Sequence, residues 1–420
     1  MTDYTEPMTG DEMDFHQTRV QLLAMIKQSG GIRRLNENEE ARALGKEAAK
    51  VPEIWNPLKL SLKQEAEDEG DKRIVERWIA QITGGSPKGM AITGKRLTNW
   101  FTGKRLPPRR CVLTDMFTDD PNGAPFLIRG KTAMLAAPGG TGKTGVLTQM
   151  AIAVASGGAW FDLQAEEGKV LLLLGEEDEE EIQRRMRNIY EGLELSDEKK
   201  EELLPKLQKN LVAMPGYSMD LRLQNEEYGT TYWFEQLKGY LEEQGPWALI
   251  IIDPASRFMG SEAETDNAAA TRFMELLEEL TKVNGEPALL FAHHTNKGEL
   301  SKNLRDTDQG GARGSSAITD GARWQANMVW LSDHEELPDE WRQWRALKVV
   351  KSNYTPRGRT IVMKPGKGGV MIQATREELA ERQERVEELK VKDHAKDSER
   401  KKKAKERSER KPGKGYEGLL

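Results

Sequence analysis

The chain has a single cysteine, Cys111, in 420 residues. That excludes a disulfide framework within it and a cysteine-ligated zinc module. Long apolar runs are also missing. The longest, 170–174 and 248–252, fall far short of the roughly 20 residues that a membrane-spanning helix needs. The acidic start, MTDYTEPMTGDEMD, has no apolar centre and does not read as a signal peptide. The expectation is a cytoplasmic protein with no membrane partner. Charged residues make up 31% and apolar ones 37%, which fits a globular chain with charge-rich ends.

The net charge of −6 is unevenly spread. Between Arg400 and Lys414, nine basic residues stand against two acidic ones, and 95–110 holds no acid at all. Both stretches read most simply as solvated surface. They are also where a nucleic-acid contact would sit, because local charge matters more than the total.

Three textures follow one another. Residues 1–107 read as a helical region. Phe15, Val20, Leu22, Leu23 and Ile26 suggest one amphipathic helix, and Ile74, Val75, Trp78, Ile79 and Ile82 another. Pro107-Pro108 then breaks the chain. In 108–375, apolar runs of strand length (132–137, 170–174, 211–214, 248–252, 288–292, 328–331) alternate with helical patterns at 145–155, 180–191, 232–243 and 268–283. This rhythm predicts an α/β domain with a largely parallel sheet covered on both faces. The runs 346–351, 360–364 and 370–373 read as an antiparallel edge added to it. From 376 to 420 a thin stripe of Leu379, Val386 and Leu389 fades into a charged helix and a basic tail.

The most specific motif is Ala137-Pro138-Gly139-Gly140-Thr141-Gly142-Lys143-Thr144, followed by Gly145, between an apolar strand and an apolar helix. This is the setting a phosphate loop requires. Its glycines let backbone N–H groups converge on phosphate oxygens, and the helix N-terminus adds its dipole. Lys143 is expected to reach the β- and γ-phosphates of ATP, and the Thr144 hydroxyl to join a Mg²⁺ shell. The first position is Ala137 rather than glycine, which a negative φ tolerates.

Three further strands end in polar residues. The run ending in Asp253 supplies an acid suited to the same Mg²⁺. The run before Glu176-Glu177-Asp178 offers three carboxylates, any of which could activate a water or merely cap the next helix. The run before His293-His294 places two imidazoles at a strand end, where ligands of parallel sheets bind. Adjacent strand residues face opposite ways, which disfavours joint metal chelation. The long polar stretch 298–311, carrying Lys302 and Arg305, leads into Arg313-Gly-Ser-Ser and on to Asp320 and Arg323-Trp324.

With these stations in order, 108–373 resembles the RepA-type hexameric replicative helicases of plasmids and their phage relatives, within the RecA-like P-loop ATPases. The likeness rests on the phosphate loop, Gly157-Gly158-Ala159-Trp160, Gly175-Glu176-Glu177-Asp178, Asp253-Pro-Ala-Ser-Arg257-Phe258, His293-His294-Thr-Asn-Lys297, Arg313-Gly-Ser-Ser-Ala317 with Arg323-Trp324, and Lys351-Ser-Asn353-Tyr354. It implies that Glu177 is the general base, Asp253 the metal residue, His294 or His293 the γ-phosphate sensor, and Arg323 an arginine finger for the neighbouring subunit. It places 298–311 in a DNA-contacting loop, with Lys302, Arg305 and Arg313 meeting phosphates, and sets Lys351 near an adjacent subunit's nucleotide. Single-stranded DNA, a homohexameric ring, and an initiator or primase are the implied partners.

Within 1–107, the spacing Trp100-x-x-Gly103-x-Arg105-x-Pro107 resembles the end of a repressor-type helix-turn-helix, with Lys104 and Arg105 facing phosphate. A basic linker is the plainer alternative. Three functions fit the whole: a ring helicase; a single-strand-dependent ATPase acting as recombinase or mediator; and an initiator or regulator that uses ATP as a switch.

Overall fold

The structure, a computed structural model, describes residues 15–28, 30–66, 69–83, 106–118, 123–225, 229–260, 262–295, 316–331, 334–354 and 359–409. It divides into two compact units, Met1–Leu106 and Pro107–Leu420.

The first unit is helical: α1 (Phe15–Gln28), α2 (Glu39–Ala48), α3 (Pro52–Gln64) and α4 (Glu69–Thr83). Asn38 caps α2 by accepting the Ala41 N–H at 2.9 Å. Apolar residues at helical spacing close on one core, with Leu22, Leu58, Val75 and Trp78 fully buried. The rings of Trp55 and Trp78 sit 6.1 Å apart within it. Both helices expected from the apolar spacing form; α2 and α3 were not anticipated.

The second unit contains β1 (Cys111–Asp115), β2 (Ala124–Ile128), β3 (Thr132–Ala137), α5 (Lys143–Ser156), β4 (Ala159–Trp160), β5 (Leu163–Ala165), β6 (Lys169–Leu174), α6 (Glu179–Gly192), α7 (Asp197–Asn210) and β7 (Leu211–Pro215). It continues through α8 (Tyr232–Gln244), β8 (Trp247–Asp253), α9 (Ser256–Met259), α10 (Asn267–Leu280), β9 (Ala288–His294), α11 (Ser316–Gly321) and β10 (Trp324–Trp330). It closes with α12 (Asp339–Arg342), β11 (Arg345–Ser352), β12 (Thr360–Pro365), β13 (Met371–Gln373) and α13 (Arg376–Glu409).

A nine-stranded sheet runs in the order β13-β12-β11-β10-β3-β9-β8-β6-β7. The six strands from β10 to β7 pair in parallel, and β11, β12 and β13 add an antiparallel extension. The α/β class, the parallel sheet and its antiparallel edge are as the apolar runs predict. The central strands are buried on both faces, so they read as unbroken apolar runs; all seven residues of β8 are buried. Each large aliphatic side chain there contributes about 1.5–3 kcal/mol over exposure. Alternate residues supply two cores. Leu135, Leu172 and Ile251 face α5 and α6; Met134, Leu171 and Ile250 face α8 and α10.

A second, four-stranded sheet in the order β2-β1-β5-β4 was not foreseen. Arg359 ties it to β12 by pairing with Asp115 and Asp162. The start of α13 is less solvent-facing than its charge suggests. Val386 and Leu389 are buried against Leu337 and Trp341, and Arg382 donates to the Leu331 carbonyl at 2.6 Å. Among the described residues no helix is long and apolar enough to cross a membrane.

Candidate nucleotide site

Because β3, β9, β8 and β6 are parallel and in register, their C-terminal ends form one edge. Ala137 lies beside His294, and Leu174 beside Asp253. The chain leaves β3 at Ala137 and turns through 138–142 into α5. Gly140 and Gly142 adopt φ values of 74° and 88°, which side chains disfavour. A Cβ placed on Gly139, Gly140 or Gly142 meets nothing within 4 Å, so the glycines border open space rather than packed protein. Thr141 instead turns inward, buried, its hydroxyl donating to the Pro138 carbonyl at 2.5 Å.

Lys143 and Thr144 open α5. The Lys143 ammonium lies 3.4 Å from the Ala137 carbonyl and is only 7% exposed. Burial lowers its pKa, while the charges of Asp253 and Glu176 work the other way. Thr144 Oγ1 donates to Asp253 Oδ2 at 2.6 Å. Burial pushes the Asp253 pKa up, opposed by that hydrogen bond and by Lys143. An open cradle of backbone N–H groups, an ammonium, a hydroxyl and a carboxylate fit a nucleotide phosphate with its divalent cation. ATP and Mg²⁺ are the groups this donor set suits.

The three carboxylates after β6 separate by role. Asp178 caps α6, accepting the Glu181 N–H at 2.9 Å. Glu176 is exposed and close enough to act on Lys143 and Asp253. Glu177 is half-buried and held by Arg185, whose Nε donates at 3.1 Å and whose Nη2 closes a second contact. Burial raises the Glu177 pKa and Arg185 opposes that rise.

The two histidines part company. His294 shares its face of β9 with Leu290 and Ala292, which pack toward α5. His293 is 1% exposed and takes the opposite face, with Leu289 and Phe291. His294 alone is on the phosphate-loop side.

Arg323 sits at the far edge of the sheet. Its N–H bonds the Thr132 carbonyl at 2.9 Å, at the start of β3, so its backbone is about 16 Å along the strand from Ala137. Its guanidinium is exposed and lies 3.4 Å from Glu278. Arg323 therefore does not reach the loop of its own chain. Lys351 does not reach outward at all: it is 8% exposed and donates to the Thr319 and Asp320 carbonyls at 2.7 and 2.9 Å, closing the end of α11. Lys104, Arg105, Lys302, Arg305 and Arg313 lie outside the described residues, as do the tail beyond Glu409 and most of the helix-turn-helix-like segment.

Two features beside the loop escaped the sequence reading. Arg345 donates to the Thr141 carbonyl at 3.2 Å while stacking 3.8 Å from the Trp330 ring centre. Gln149 of α5 donates to the Met371 carbonyl at 3.0 Å and accepts its N–H at 2.8 Å, binding the loop's helix to β13.

Comparison with known proteins adds a family match. Residues 98–299 match the AAA domain family, a span that includes the phosphate loop, Glu177, Asp253 and His294. Among solved structures, the chain is similar to one described as an ATPase domain (12% identity, 60% of this chain and 87% of that one, TM-score 0.43). It is also similar to a DnaB-like replicative helicase described with its primase interactions (11%, 86% and 88%, TM-score 0.49). A third likeness is to the RadB recombinase (13%, 60% and 94%, TM-score 0.38). Likenesses this distant carry no functional conclusion.

Proposed function

We propose that the unit Pro107–Leu420 hydrolyses ATP with Mg²⁺, acting as a hexameric ring that moves on single-stranded DNA during plasmid or phage replication. The observation that carries the ATPase reading is the Thr144–Asp253 hydrogen bond at the mouth of an open glycine loop. The AAA domain match over the same residues supports it.

The residues divide the work. The loop N–H groups and Lys143 bind and orient the β- and γ-phosphates, and offset charge that builds on the bridging oxygen. Thr144 and Asp253 would hold Mg²⁺, which supplies further charge neutralisation when bound. Glu177 takes the proton as a water oxygen bonds to the γ-phosphorus and the bond to the ADP oxygen breaks. His294 is the reading's γ-phosphate sensor, and its position beside Ala137 supports that role. Arg323, remote from its own loop, suits a role in a neighbour's site, and that supports a ring over a lone subunit.

The test is strand displacement on forked DNA with a single-stranded tail of either polarity, with Lys143→Ala as control. Displacement by the native chain alone, with one tail preferred, supports the helicase. ATP turnover stimulated by single strands without displacement favours a recombination mediator. Turnover indifferent to single strands, with sequence-selective duplex binding, favours an ATP-switched initiator.

A further inference from the structure

Glu177 is fixed by its backbone and held by its side chain. Its carbonyl accepts the N–H groups of Gly216 and Tyr217 at 3.3 and 3.2 Å, so the main chain is anchored between β6 and the loop after β7. Its carboxylate is gripped at both oxygens by Arg185. That grip follows from local structure. Asp178 starts α6 directly after Glu177, and side chains on a helix lean toward its N-terminus, so an arginine two turns in reaches back over the start. The guanidinium has a second carboxylate within reach: Glu181 lies 3.9 Å away, one turn before it on the same helix. Arg185 thus stands between two acids, in bidentate contact with one.

We propose that Arg185 is a positioning residue that latches Glu177 in a resting state, and that hydrolysis is stimulated when the guanidinium shifts to Glu181. This rests on the ATPase reading above. A carboxylate in a bidentate arginine clamp is stabilised as the anion and is a weaker proton acceptor. The clamp also fixes the direction of its lone pairs. Breaking it leaves the half-buried Glu177, whose proton affinity burial raises, free to take a proton from water. Glu181 keeps the freed guanidinium paired, so the Glu177 carboxylate is the one group left without its partner. The two states differ by a side-chain rotation on a fixed backbone, an equilibrium that a partner binding one state better would shift.

The experiment compares ATP turnover, with and without single-stranded DNA, in the full chain and in Arg185→Ala, Arg185→Lys, Glu181→Gln and Glu177→Gln/Arg185→Ala. Binding of a fluorescent ATP analogue is measured in parallel, with Lys143→Ala as the binding-defective control. Arg185→Ala should raise kcat without DNA by on the order of tenfold, the loss of one charge-assisted contact at a part-exposed site, with the analogue's Kd nearly unchanged. DNA stimulation should shrink by the same factor. Arg185→Lys, which cannot clamp both oxygens, should fall between the two, and it keeps the test valid if the alanine variant does not fold. Glu181→Gln should act in the opposite sense, lowering the DNA-stimulated rate. The double variant should show no gain, because the gain passes through Glu177. If the native chain turns over ATP but Arg185→Ala and Arg185→Lys lower kcat without DNA at unchanged Kd, Arg185 serves the chemistry itself and the latch is wrong. If the native chain neither binds the analogue nor turns over ATP, the ATPase reading fails and the latch falls with it.

Discussion

Thr144 Oγ1 and Asp253 Oδ2 meet at 2.6 Å although 109 residues separate them in sequence. The contact joins the first turn of α5 to the end of β8, the two places a phosphate loop needs its hydroxyl and its acid. It also bears on stability. Asp253 is buried, its charge costly there, and the Thr144 hydroxyl and Lys143 charge are what offset that cost.

Asp253→Asn should therefore separate stability from function. It relieves a buried charge, so the ligand-free protein should melt at the same or a higher temperature. Mg²⁺-dependent turnover should fall by roughly a hundredfold or more. Thr144→Ala should destabilise the ligand-free protein by about 1–3 kcal/mol, since it strands the carboxylate. Thermal melts and ATPase assays check both; a destabilised but active Asp253→Asn protein would overturn the assignment.

Arg323 predicts a complementation pattern. Because it lies at the opposite edge of the sheet from its own loop, Arg323→Ala should bind nucleotide normally and lose hydrolysis only where a neighbour needs it. Mixing Arg323→Ala with Glu177→Ala subunits should restore part of the turnover, because some interfaces then carry both intact groups. A mixture as inactive as its components counts against a finger acting between subunits.

Arg345 makes a narrower prediction. Its contact with the Thr141 carbonyl spans 204 residues, and stacking on Trp330 fixes the guanidinium in place. Arg345→Ala should loosen the loop and weaken ATP binding by roughly fivefold, the equivalent of one partly exposed hydrogen bond of about 1 kcal/mol. Titration with a fluorescent ATP analogue reads this directly, and an unchanged Kd would show that the loop holds its shape alone.

The legible parts of the molecule share a cause. Strands β6, β8 and β9 are buried on both faces, so each appears as an unbroken apolar run leading to a candidate site residue. The phosphate loop is legible because its glycines, lysine and threonine are contiguous. What escaped lacks such local signals. Strands β4 and β5 have two and three residues, too short for alternation to register. Helix α7 buries only Leu203 and Asn210 and reads as a charge run. The Glu177–Arg185 clamp depends on where Asp178 caps α6, and three adjacent acids gave no local way to choose the cap. Lys351 sits in a motif that suggested an outward contact, yet β11 delivers its ammonium to the carbonyl end of α11.

The first unit allows a prediction in which two opposing terms are weighed. Gly45 lies within α2, where replacing glycine by alanine ordinarily favours the helix by up to about 1 kcal/mol. Here a Cβ would come within 2.5 Å of the Trp78 ring and 3.1 Å of Ile82. Trp78 is fully buried and packed against Trp55, so it has little room to retreat. Overpacking of this kind costs about 1–3 kcal/mol, and the clash outweighs the propensity gain. Gly45→Ala should therefore destabilise the Met1–Leu106 unit by about 1–2 kcal/mol net, seen as a lower unfolding midpoint by tryptophan fluorescence. ATP turnover by the second unit, measured below that midpoint, should be unaltered. A stabilised Gly45→Ala protein would mean that α2 and α4 lie further apart than the structure places them.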